Sequence, residues 1–103
     1  MKESDWKKFK VIREKALDEF CKRVLVGAEE IIADEATSAH ERYLTLYKFI
    51  DENDKDLAAM FDNMRRSLAL IHLRLMRTHK LVSDETLAEL SADMQNRTKP
   101  LNF

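Results

Sequence analysis

Apolar side chains return every three or four positions along most of this chain, the spacing that gathers them on one side of a helix. Trp6, Phe9, Ile12, Ala16, Phe20, Val24, Gly27 and Ile31 trace one stripe, and Leu17, Cys21, Leu25, Ala28 and Ile32 widen it. The pattern predicts a first helix over 5–35, with Ser4 as N-cap and Asp5 in the first turn, where the helix dipole favours an acid. So broad a stripe predicts contact with two neighbours. Gly27 lies near its centre and marks a weak point, a close crossing of another helix, or a break. The periodicity runs through it without a shift.

Ser38 followed by Glu41 forms a capping box and predicts a second helix over 39–51. Ala39, Tyr43, Leu46, Tyr47 and Ile50 form its inner face, with Leu44 and Phe49 off that face. The polar run Asp51-Glu52-Asn53-Asp54 reads as a turn. A third helix is expected over 55–80, facing inward through Leu57, Met60, Phe61, Met64, Leu68, Ile71, Leu75 and Thr78. Ser83 caps a short fourth helix over 84–96 with Leu87, Leu90 and Met94 on its apolar side. A tail over 97–103, with Pro100, is expected to be loosely ordered. Short connections make neighbouring helices antiparallel. The expected fold is therefore all-α: a small antiparallel helical bundle of three long helices plus a short C-terminal helix, one domain over 1–96.

Composition agrees with this picture. A length of 103 residues suits one core. With 45% hydrophobic and 36% charged residues, the chain is too apolar for disorder and too charged for a membrane span. One glycine and one proline are too few for strands joined by tight turns. No secretory signal follows Met1, and the lone Cys21 allows no internal disulfide. These features predict a soluble, cytoplasmic protein with no membrane contact.

The candidate chemistry lies on the third helix. From Asn63 to Val82 there is no acidic residue. Arg66, Arg74, Arg77 and Lys80 fall within about a third of the helix circumference, opposite the expected core face. Leu70 and Leu73 sit among them. Leucine anchors ringed by arginine match an interface core and rim. The expected role is a non-enzymatic protein-interaction module that forms a homodimer or docks a protein partner through Arg66, Leu70, Leu73, Arg74 and Arg77. The alternative is a nucleic-acid accessory protein using the same arginines on phosphates. It stands second because the net charge is −1 and no aromatic residues interleave with the basic ones. The N-terminal 1–15 carries a local excess of basic residues that reads as a solvated face.

A polar cluster of Tyr43, Tyr47 and Arg65 is expected where the second and third helices meet, as a structural network or a small-ligand pocket. No metal and no cofactor are expected. The residues three before His40, His72 and His79 are Thr37, Ala69 and Met76, so no Glu-x-x-His motif exists. Cys21 lies at the margin of an apolar stripe, where an inert thiol is expected. One glycine cannot build a phosphate loop. No catalytic residue is expected.

Overall fold

The computed structural model describes residues 1–101. Its helices are α1 (Glu3–Ala33), α2 (Ala39–Phe61), α3 (Arg66–Thr78), α4 (Asp84–Leu87) and α5 (Ala92–Arg97). No strand occurs among the described residues. The three longer helices pack on one another, so the fold is the small all-α bundle that the periodicity predicts. The molecule is elongated, 52 × 27 × 25 Å. At 1.5 Å per residue α1 is about 46 Å long, α2 about 35 Å and α3 about 20 Å. Only α1 runs nearly the full length, and α3 covers less than half of it.

Several boundaries differ from the sequence reading. Lys2, not Ser4, is the N-cap of α1, and it makes no side-chain cap bond. Ser38 does cap α2, its Oγ accepting from the Glu41 N–H at 3.2 Å. The expected turn at 51–54 is absent, because α2 continues to Phe61. Two acids of the run meet lysines of the same helix. Lys48 lies 3.9 Å from Glu52 and Lys55 lies 3.6 Å from Asp51. Asn53 Nδ2 donates to the Phe49 carbonyl at 2.8 Å. None of these residues breaks a helix as glycine or proline does. The chain turns later, where Asn63 takes φ 57°, a left-handed conformation that asparagine tolerates.

The end of α3 closes in the same way. The Lys80 N–H donates to the Arg77 carbonyl at 3.0 Å and the Leu81 N–H to the Met76 carbonyl at 2.9 Å. This is the Schellman pattern, with Lys80 at φ 57° where glycine is usual. Gly27 marks a close crossing, not a break. α1 passes through it unbroken, and the Phe49 ring of α2 occupies the space beside it.

The expected fourth helix is split into α4 and α5. Ser91 stands between them and caps α5, its Oγ accepting from the Met94 N–H at 3.2 Å. Leu87, Leu90 and Met94 are buried as expected. The expected tail begins within α5, which ends at Arg97. Thr98 is fully buried, and its hydroxyl donates to the Met94 carbonyl at 2.7 Å. Residues 102 and 103 of that tail lie outside the described residues.

The core is confined to one end. It joins Phe9, Ile12, Ala16 and Phe20 of α1 to Met60 and Phe61 of α2, Ala69, Leu73 and Met76 of α3, and Leu87, Leu90 and Met94. Between Ala28 and Met60 no side chain is fully buried. The C-terminal part of α1 and most of α2 therefore form a two-helix arm projecting from the packed end.

Candidate functional site

The face of α3 expected to meet a partner is already covered. Leu73 is fully buried, and Leu70 is half-buried against the core. The buried positions are Ala69, His72, Leu73 and Met76, whereas Ile71, expected inside, is 58% exposed. The buried face is turned by about a third of the circumference from the expected one. The cause is the segment from Ser83 onward, which lies over α3 and supplies Leu87, Leu90 and Met94 to the same core.

The arginines of that face bond to other parts of the chain, although the Arg66 side chain stays 49% exposed. Arg77 Nη1 donates to the Gln95 carbonyl at 2.7 Å and to Thr98 Oγ1 at 2.9 Å. Arg74 donates to the Arg97 carbonyl at 2.8 Å. Arg66 is paired with Glu3 and stacks over the Trp6 ring, 5.6 Å from its centroid. Arginines elsewhere do the same. Arg13 reaches the Phe61 carbonyl at the end of α2 at 2.7 Å. Arg23 reaches the His79 and Lys80 carbonyls after α3 at 2.9 and 3.0 Å. Arg42 reaches the Ile32 carbonyl in the last turn of α1 at 2.6 Å. Last-turn carbonyls lack helical partners and carry the negative end of the dipole, so a guanidinium satisfies both. These pairings join residues far apart in sequence and leave no periodic signal.

Asp5 plays the complementary part. It is buried, and its carboxylate accepts from the Ser91 N–H at 2.9 Å and the Ser91 hydroxyl at 2.5 Å. Burial pushes its pKa up, but the Ser91 bonds and the charges of Lys2 and Lys8 outweigh this and hold it below the ordinary 3.8.

The polar cluster is not assembled. Because α2 has no turn at 51–54, Tyr43 lies about 27 Å along the helix from Phe61, beyond which Arg65 begins the next segment. His72 is buried, with its Nδ1 lacking a hydrogen-bond partner, and burial together with Arg13 pushes its pKa down. The His79 ring meets Phe20 edge-on at 6.4 Å. Among the described residues, no three His, Cys, Asp or Glu side chains are grouped as a metal ion would need. No helix is long and apolar enough to cross a membrane.

The uncovered apolar surface lies on the arm. Tyr43, Leu46, Tyr47 and Ile50, expected to face a core, instead form an open stripe with Asp51 and Asp54 beside them. Tyr43 and Tyr47 are each 67% exposed, Ile50 43% and Leu25 of α1 60%. The same α2 stripe continues through Leu57 to Phe61, where the packed end covers it; at the arm nothing does. Leu25 and Ile50 face each other across a shallow groove with Cys21, Val24 and Leu57. The groove holds about 200 Å³, and the space along the tyrosine stripe about 370 Å³. Ile32, 55% exposed and seven residues after Leu25, extends the α1 side.

The arm is also strongly acidic. Residues 24–62 carry ten acidic and three basic side chains, net −7, and the rest of the chain carries fifteen basic and nine acidic, net +6. Sequence reasoning missed this division because the total is only −1.

No family model, curated protein or solved structure matches this chain.

Proposed function

We propose that this chain is a protein-docking module and that it docks through the α1–α2 arm. The observation that carries this reading is the stripe of Tyr43, Tyr47 and Ile50, which lies open beside Leu25. Large apolar side chains repeated along one helix face mark an interface more often than an ordinary solvated surface. Tyrosine is favoured at such surfaces because its ring buries area while its hydroxyl stays wet.

Leu70 and Leu73 do not serve as anchors in this proposal, since the chain's own C-terminal segment occupies them. The phosphate-binding alternative drew on Arg66, Arg74, Arg77 and Lys80, and the guanidiniums of the three arginines are engaged by Glu3, the Arg97 carbonyl and the Gln95 carbonyl.

Amide exchange on the native chain tests the reading. The rates over 39–54 are measured across a concentration series of the chain alone, and again with amphipathic helical peptides of both charge signs. Slowing confined to the arm is expected in at least one series. Unchanged rates in every series would sink the docking role.

A further inference from the structure

The arm is a pair of helices with an uncovered groove between them. α1 and α2 run antiparallel, with the Phe49 ring seated on Gly27. At the packed end α3 packs on both, and His79 and Leu81 after it border a different groove with Arg23, Gly27 and Phe49, whereas the Leu25–Ile50 groove is lined by α1 and α2 alone. The uncovered groove keeps the elements of a helix seat. Leu25 lies on one wall with Cys21 and Val24, and Ile50 on the other with Leu57, while Tyr43 and Tyr47 line the adjoining α2 surface, which shares Ile50 and Asp54 with the groove. An amphipathic helix laid between two such walls buries anchors at i, i+3, i+4 and i+7.

Charge selects the occupant. Asp54 borders the groove, and Asp51 and Asp54 border the tyrosine stripe. The three basic side chains of the arm are spent inside it: Arg42 on the Ile32 carbonyl, Lys48 beside Glu52 and Lys55 beside Asp51. A second copy docked arm to arm would bring two regions of net −7 together. An anionic membrane or a nucleic acid would meet the same repulsion. A helix with a leucine-like stripe and lysine or arginine on its flanks gains on both counts.

Resting on the docking reading above, we infer that the arm of this chain receives a basic amphipathic helix from a partner protein, seated between Leu25 of α1 and Ile50 of α2.

The test measures binding of three fluorescent peptides by anisotropy, each about 14 residues or four turns long. One has leucines at helical spacing with lysine flanks, one has the same leucines with glutamate flanks, and one is the lysine peptide with its leucines scrambled. The lysine peptide is expected to bind at least about tenfold more tightly than either of the others, and more weakly as salt rises. Leu25→Glu and Asp54→Lys are each expected to weaken it about tenfold or more. Both positions are exposed, and far-ultraviolet dichroism with a thermal melt confirms that each variant folds.

Equal binding of the scrambled peptide overturns the inference, since charge alone would then be responsible. Equal binding of the glutamate peptide overturns it and leaves the docking role standing. No peptide binding, with light scattering showing a dimer that Leu25→Glu dissociates, overturns it in favour of a second copy. No peptide binding by a monomer overturns the inference and the docking role together.

Discussion

The Phe49 ring sits against the one glycine of α1: a Cβ built on Gly27 would lie 2.5 Å from Phe49 Cζ. This contact sets how closely the two helices of the arm approach. Alanine at position 27 gains about 1 kcal/mol of helix propensity. It also forces the ring aside, at about 1–3 kcal/mol. Gly27→Ala is therefore expected to destabilise the native chain by about 1 kcal/mol, and to stabilise the Phe49→Ala variant by about the same amount. Urea unfolding of the four proteins gives the cycle. The same sign in both backgrounds would show that the ring does not govern this position.

Lys80 holds a left-handed conformation without being glycine. Lys80→Gly is expected to stabilise the protein by about 0.5–1 kcal/mol, because glycine adopts that conformation without a Cβ clash. Lys80→Ala lacks this gain and serves as the control. Arg23 bonds the Lys80 backbone carbonyl, so the substitution leaves that partner in place. Thermal melts of the three proteins decide the matter.

Leu73 contributes to the core and not to a partner surface. Truncation to alanine is expected to cost about 2–5 kcal/mol. Tyr47→Ala, on the exposed arm, is expected to change stability by less than about 0.5 kcal/mol. Chemical denaturation checks both, and near-equal losses would contradict the confinement of the core to one end.

Arg77 ties α5 and Thr98 to α3 through two hydrogen bonds from one nitrogen. Arg77→Ala is expected to cost about 1.5–3 kcal/mol, the usual range for bonds from a charged donor. Amide exchange over 92–98 should speed up before that of α1. Arg77→Lys should restore little, because an ammonium does not reproduce the guanidinium's fixed geometry.

Asp5 and His72 both contribute to the acid limb of stability. The Asp5 pKa is lower in the folded chain than its ordinary 3.8, so its contribution is full above that value and is lost as pH falls through the lowered native value. His72 is buried neutral with a pKa below its ordinary 6.5. Its contribution is full above 6.5 and declines as pH falls from there towards the native value, because the unfolded chain takes up the proton first. Unfolding free energy measured from pH 8 to pH 3 should show both declines. Asp5→Asn should remove the lower one and His72→Leu the upper one.

The all-α class, the N-caps at Ser38 and Ser83, and the buried set Leu87, Leu90 and Met94 were legible in the sequence, because helical periodicity and capping act within a few residues. The sequence also marked Gly27 as unusual, though not what lay against it.

Tertiary structure decided the rest. An amphipathic stripe says that a face wants covering, not which element covers it or along what length. Tyr43, Tyr47 and Ile50 have the pattern of an inner face, yet α2 alone lines the surface they form. Leu70 and Leu73 stand among arginines, yet the C-terminal segment folds over them. The Arg77–Gln95, Arg23–His79 and Asp5–Ser91 bonds depend on where distant helix ends arrive in space. Local spacing fixes the turn of each helix, but only packing between helices determines which apolar face is buried and which is left open.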